Sequence, residues 1–322
     1  MGQIHPAIQK NIDAFDQGLA AAGIDDYYSA GAERFRAFLD NLAVPPEFLP
    51  AIHSVEDRTI PGPAGEIPIR IYRPNDQENL PALVWYHGGG FVIGTLDIAE
   101  MNCRRLSNDT ECVVISIDYR LAPETRFPGA HEDCIAATAW VAASADELGI
   151  DATRIAVGGD STGGNLAIGV THHAREHGPP LVFQLLVYPV TDADFDRPSY
   201  IENAEGYFLT KNMMEWFWDC YVPDVEQRKH PMASPLRASD FSNLPPAFII
   251  TSKFDPLRDE GEAYGAALAA AGVPVETKRY DNTIHGFYNM LTEEPVDEII
   301  AASRDSAMAL RQVFGTAESV RG

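Results

Sequence analysis

A serine hydroxyl is a weak nucleophile until a neighbouring base takes its proton and a third group orients that base. Ser161 stands in a setting suited to this chemistry, within Val157-Gly158-Gly159-Asp160-Ser161-Thr162-Gly163-Gly164-Asn165. The apolar run 154–157 reads as a short buried strand, and the stretch from Asn165 opens a helix. Gly-x-Ser-x-Gly between strand and helix marks a nucleophile elbow, a turn so sharp that the serine projects above the sheet edge. Gly159 and Gly163 carry no Cβ to collide where strand and helix nearly touch. The helix N-terminus adds unpaired N–H groups and a partial positive charge. The pentapeptide also occurs in ordinary turns, so its meaning rests on its partners.

The chain has nine histidines. His172, His173 and His177 fall on the helix after Ser161 and read as surface residues; His5 and His53 precede the sheet core, and His230 lies in an insertion. His285 differs, because it follows the last predicted strand in Asn282-Thr283-Ile284-His285-Gly286-Phe287, on a loop at the edge where the elbow also sits. The acid should end a strand between the serine and the histidine. Asp255 does so; Asp259 reads instead as the cap of the next helix, and Asp281 sits at the wrong strand end. The order Ser161, Asp255, His285 is that of the α/β hydrolases and not of the other serine hydrolase folds.

A tetrahedral intermediate also needs preorganised N–H donors for its oxyanion, each lowering the barrier by about 3–4 kcal/mol. His87-Gly88-Gly89-Gly90 directly follows the buried run 83–86, and three glycines can bend so that several N–H groups face one point. Gly88, Gly89 and Gly90 are therefore candidate donors, with Thr162, the residue after the nucleophile, supplying another N–H.

The elements that must position these groups alternate. Residues 54–60 and 67–72 read as strands of a hairpin joined by Pro61–Gly65. The runs 83–86, 112–118, 154–157, 183–188 and 247–251 are apolar nearly throughout, as strands buried on both faces should be. A strand at 275–280 follows, and helices are expected at 131–146, 165–177, 259–271 and 296–313. Strands alternating with helices give a mostly parallel sheet covered on both sides. Two regions stand apart. Residues 1–48 carry two helical patterns, one from Ile4 to Leu19 and one from Gly31 to Asp40. Residues 192–236, between two buried strands, are polar and aromatic, with Tyr207, Phe208, Trp216, Phe217 and Trp218. They read either as an excursion packing its own aromatics or as a second lid piece meeting the N-terminal helices.

Composition narrows the partners. With 47 acidic against 24 basic side chains the formal net charge is −23, which disfavours nucleic acid and anionic membranes, both polyanions. Cys103, Cys112, Cys134 and Cys220 have neither disulfide-framework nor metal spacing and fit free thiols in a reducing compartment. The N-terminal residues lack a signal-peptide core, and no run of 18 apolar residues exists. A cytoplasmic protein with no membrane insertion, no metal and no cofactor is expected.

Five ordered blocks, HGGG at 87–90, DYRLAPE at 118–124, GDSTGG at 159–164, DPLRDEG at 255–261 and HGF at 285–287, resemble the hormone-sensitive-lipase family of bacterial carboxylesterases. The resemblance spans about 80–290. It implies an α/β-hydrolase fold, a mostly parallel central sheet flanked by helices, with a helical cap built from 1–48 and 192–236 on a catalytic domain of 49–191 and 237–322. It further implies a triad of Ser161, Asp255 and His285, oxyanion donors in the later glycines and Thr162, and a homodimer through the edge of the last strand. The family usually has alanine where this chain has Thr162; a narrower acyl pocket and an added hydroxyl contact are both open. Arg120 and Glu124 read either as a brace on the glycine loop, by ion pairing and hydrogen bonds, or as an ordinary solvated salt bridge. The expected activity is a serine carboxylesterase acting on short- to medium-chain acyl esters through an acyl-enzyme. A lactonase, amidase or deacetylase would share the triad, and a non-catalytic small-ligand receptor of this fold would lack the histidine.

Overall fold

The computed structural model describes residues 3–40 and 44–316. Eight strands form one sheet: β1 (Ser54–Gly62), β2 (Gly65–Arg73), β3 (Leu80–Tyr86), β4 (Val113–Ile117), β5 (Ile150–Asp160), β6 (Phe183–Val187), β7 (Ala247–Phe254) and β8 (Val275–Ile284). Their order is β1-β2-β4-β3-β5-β6-β7-β8, with β2 antiparallel to both neighbours and every pair from β4 to β8 parallel. The first hairpin is tighter than the link Pro61–Gly65 suggests. Its pairing continues to Gly62 opposite Gly65, so only Pro63 and Ala64 make the turn.

Every residue of β3, β4 and β6 is buried, which is why these strands read as unbroken apolar runs. Alternation still sorts the side chains. Leu83 and Trp85 join Val114, Leu185 and Ile250 on one face, while Val84 and Tyr86 join Ile115, Val157 and Ile249 on the other. The helices Gly129–Ala143, Thr162–His177 and Arg258–Ala270 cover the second face through Val141, Leu166 and Leu268. The first face lies under Asp297–Phe314 and Leu96–Thr110 through Leu310 and Leu106. Burying each such side chain contributes about 1.5–3 kcal/mol.

Helix Leu96–Thr110 has no counterpart in the sequence reading. Its buried face is Ala99, Asn102, Cys103, Leu106, Ser107 and Thr110, which keeps helical spacing without an apolar stripe. The helix expected over 131–146 breaks at Ser144 into Gly129–Ala143 and Ala145–Leu148. His172 is not a surface residue either. It lies half-buried against Phe241, and burial pushes its pKa down to about 4.

Ahead of the sheet come helices Pro6–Ala21 and Tyr27–Asp40, the second kinked at Gly31, whose φ of +73° is non-helical. The kink is why the residues before Gly31 escape the helical pattern. Within the expected segment 1–48, residues 1–2 and 41–43 lie outside the described residues, as do 317–322 at the far end. The 192–236 stretch folds around helices Pro198–Glu202 and Lys211–Tyr221. Its aromatics pack outward onto the N-terminal helices: Phe208 meets Phe15 at 4.6 Å, and Trp216 meets Tyr27 and Phe35, each at 5.8 Å. Such ring pairs contribute about 0.5–1.5 kcal/mol beyond area burial. Tyr28 adds a hydrogen bond from its hydroxyl to Asp219 at 2.6 Å.

The tightest point of the fold is where β5 meets the next helix. A Cβ on Gly163 would overlap the Tyr86 carbonyl oxygen of β3, and one on Gly159 would overlap Gly163. Because these neighbours are backbone, no rotamer relieves the clash. Gly163→Ala is expected to destabilise the fold by about 2 kcal/mol or more, read as a lower urea midpoint; an unchanged midpoint would show that the backbones can part at no cost.

Candidate active site

Parallel strands deliver the sequence-predicted residues to one edge. Ser161 follows β5, Asp255 follows β7, His285 follows β8 and the glycine run follows β3. Ser161 has φ +57° and ψ −119°, a conformation that an L residue adopts only when held. Here its N–H donates to the Val187 carbonyl at 2.8 Å, and its carbonyl accepts the Val190 N–H at 3.1 Å. The exit of β6 therefore fixes the elbow on both sides.

The three side chains meet. Ser161 Oγ lies 3.0 Å from His285 Nε2, and His285 Nδ1 lies 2.9 Å from Asp255 Oδ2. With the Nδ1–H donating to the carboxylate, the Nε2 lone pair faces the serine hydroxyl. The second oxygen of Asp255 accepts the Leu257 N–H at 2.8 Å, so the carboxylate is held at both ends. Asp255 is fully buried, while His285 and Ser161 keep only 5% and 8% of their exposure. The Tyr188 ring packs 4.5 Å from the imidazole. Neither rival acid approaches this arrangement. Asp259 accepts from the Ser199 N–H at 2.8 Å and from Arg258 Nε at 2.9 Å, and its helix already begins at Arg258. It is therefore no cap. Asp281 is an exposed residue within β8.

The glycine loop behaves partly as expected. Gly88 donates its N–H to Asp160 Oδ1 at 3.1 Å, which takes it out of the donor set and makes it an anchor. Gly89 and Gly90 have φ of +129° and +61°; a Cβ on the first would overlap the Ile93 carbonyl, and one on the second the ring of Phe217. Their N–H groups make no hydrogen bond among the described residues, and the Thr162 N–H is the first of its helix, without an intrahelical partner. Below the loop, the Tyr119 hydroxyl donates to the His87 carbonyl at 2.7 Å, and the two rings stack at 4.3 Å. Burial holds the His87 pKa down at about 4, so that ring is neutral.

The bracing of the loop uses other partners than Arg120 with Glu124. Arg120 forms a two-pronged ion pair with Asp133, both contacts at 2.7 Å. Glu124 instead binds Arg36 of the N-terminal helices at 2.8 Å and 2.9 Å. The same guanidinium donates to the carbonyls of Val92 and Ala122 at 2.7 Å and 2.6 Å.

The sequence reading passed over Asp160. Its carboxylate is buried next to Ser161 in the chain, with Oδ1 on the Gly88 N–H and Oδ2 accepting Asn289 Nδ2 at 2.8 Å. Asn289 is hydrogen-bonded in turn to Asn102, whose Oδ1 accepts from Arg105 at 2.6 Å. An acidic residue directly after the apolar and glycine run 155–159 is the signal that could have marked it. Among the described residues no cluster of three His, Cys, Asp or Glu could hold a metal ion.

Burial raises the Asp160 pKa to about 6, against the lowering effect of Asn289 and the Gly88 N–H. Between the ordinary value of 3.8 and about 6, the folded chain holds a proton that the unfolded chain has released. Stability from this group is thus fullest below that window and is lost as pH rises through it. Asn289→Ala removes a donor to the anion and raises the folded pKa further. Its cost in urea midpoint is expected to be larger at pH 8 than at pH 5; an equal cost at both would exclude the Asp160 charge as its cause.

Comparison with known proteins agrees with this geometry. A family model described as the alpha/beta hydrolase fold matches residues 83–289. The carboxylesterase NlhH of Mycobacterium tuberculosis is 42% identical over 299 residues, covering 91% of this chain and 91% of its own. The esterase LipI of the same organism is 43% identical over 316 residues, covering 97% and 95%. Among solved structures, the hyperthermophilic esterase of the archaeon Pyrobaculum calidifontis matches with a TM-score of 0.89 at 40% identity, over 96% of this chain and 98% of that one. With the eight-stranded sheet and the Ser-Asp-His order in place, the chain belongs to the hormone-sensitive-lipase group, family IV, of the α/β-hydrolase carboxylesterases.

Proposed function

We propose that this chain is a serine carboxylesterase hydrolysing short- to medium-chain acyl esters, with Ser161, His285 and Asp255 as its triad. The observation that carries the reading is the continuous line from Ser161 Oγ through His285 to Asp255, at 3.0 Å and 2.9 Å. As Ser161 Oγ attacks the ester carbonyl, its proton passes to His285 Nε2, and Asp255 stabilises the imidazolium. Charge develops on the carbonyl oxygen, which the N–H groups of Gly89, Gly90 and Thr162 receive. The alcohol leaves with the proton from Nε2. Water then enters, gives its proton to His285 and cleaves the acyl-enzyme by the same path.

The segments 1–48 and 192–236 act together as a cap over the catalytic domain of 49–191 and 237–322. Two contacts support this. Phe217 packs on Gly90, and the ring of Phe208 lies against the Cα of Gly286, beside the catalytic histidine. Aromatic rings at these two glycines favour short acyl groups. Among the described residues no helix is long and apolar enough to cross a membrane. The four cysteines are free thiols, which suits the cytoplasm. The outer strand β8 offers the edge at which a second copy would pair in a homodimer.

Ser161→Ala and His285→Ala are each expected to lower kcat on 4-nitrophenyl butyrate by about 10⁴-fold or more, and a fluorophosphonate should label the wild type but not Ser161→Ala. Near-wild-type hydrolysis by either variant would refute the triad. Rates on lactones, anilides and sugar acetates, measured beside the simple esters, rank the substrate classes. Phe217→Ala is expected to raise the octanoate-to-butyrate ratio of kcat/KM by roughly ten-fold; an unchanged ratio would remove Phe217 from the acyl pocket.

A further inference from the structure

Thr162 stands where the family pattern has alanine, and its side chain is fully buried. The hydroxyl is turned to the glycine loop. It accepts the Phe91 N–H at 3.4 Å. Phe91 ends the loop with φ +62°, a conformation that bulky L residues rarely adopt. Three contacts hold it there. They are the Thr162 hydroxyl on its N–H, the Ala122 N–H on its carbonyl at 2.8 Å, and the Tyr221 ring stacked 4.0 Å away. At the other end of the loop, Tyr119 donates to the His87 carbonyl. Thr162 Oγ1 thus holds the Phe91 end of the segment that carries Gly89 and Gly90, while Tyr119 holds its His87 end.

We infer that Thr162 is a positioning residue for the oxyanion site through its side chain, in addition to the N–H it offers from its backbone. Its hydroxyl ties the glycine loop to the elbow and so sets the spacing between the Gly89 and Gly90 N–H groups and its own. The spacing matters because donors stabilise an oxyanion only from about 2.7–3.1 Å. This inference rests on Ser161 being the nucleophile. Valine has the shape of threonine without the hydroxyl, so Thr162→Val takes away the acceptor of the buried Phe91 N–H. Serine keeps the hydroxyl and loses only a methyl group.

The test compares wild type, Thr162→Val and Thr162→Ser on 4-nitrophenyl butyrate, together with inhibition by an alkyl trifluoromethyl ketone. Ser161 Oγ adds to the ketone carbonyl, its proton passes to His285, and the adduct carries the oxyanion. Thr162→Val is expected to lower kcat about ten-fold with KM within about two-fold, and to weaken the ketone by a similar factor. Thr162→Ser should stay within about two-fold of wild type in both. Wild-type kcat and ketone affinity in Thr162→Val would overturn the inference. So would a Thr162→Ser variant as impaired as Thr162→Val, since the effect would then belong to the methyl group. If Thr162→Val does not fold, Thr162→Ala takes its place against Thr162→Ser: a loss confined to alanine supports the tie, and equal behaviour overturns it. Ser161→Ala in the same assays separates the two readings. An active Ser161→Ala removes the nucleophile itself, whereas an inactive one beside a wild-type-like Thr162→Val removes only the role of Thr162.

Discussion

The whole site depends on how closely the backbone passes itself at Gly159, Gly163 and Tyr86. No side chain fits among these three residues, and their approach puts the end of β5, the start of the following helix and the end of β3 side by side. From that closeness follow the strained serine, the first helical N–H beside it and a glycine loop within reach of both. The parallel sheet supplies the rest, because strands that run the same way end on the same side. β7 and β8 then bring Asp255 and His285 to Ser161 without any long excursion of their own.

A second layer of contacts keeps the mobile parts of this chemistry still. Asp160 holds Gly88, Asn289 holds Asp160, and Asn102 with Arg105 continues the line into the helix over the sheet. On the other side of the loop, Tyr119 and Arg36 bind the carbonyls at 87, 92 and 122. These groups place their hydrogen bonds on the loop's carbonyls and on the N–H of Gly88, and among the described residues the N–H groups of Gly89 and Gly90 have no partner.

Much of this was legible in the residues, for identifiable reasons. Strands buried on both faces announce themselves as apolar runs, and glycine at an elbow has a steric cause that spacing reveals. The order of serine, acid and histidine could be read because each follows a strand. What stayed hidden has physical causes too. Leu96–Thr110 buries asparagine, serine and threonine, so its helical period carries no hydrophobic signal. The tie from Arg36 to Glu124 spans 88 residues, and no local pattern distinguishes it from the nearer pairing of Arg120 with Glu124. Gly88 read as a donor because three adjacent glycines look alike in sequence; only the fold shows that a buried carboxylate already claims the first.

The distances along the chain between the site's members carry a meaning for folding. Ser161 and His285 are 124 residues apart, and His285 and Asp255 are 30 apart. Contacts of such long sequence separation close late, because the chain entropy of bringing their ends together must be overcome before they stabilise anything. A chain that has not yet paired β8 with β7 holds Ser161 apart from His285. A register slip of one residue in either strand would turn its side chains to the opposite face. The meeting of Ser161, Asp255 and His285 in this architecture is therefore a property of the finished sheet, since β5, β7 and β8 must all be paired before the three can touch.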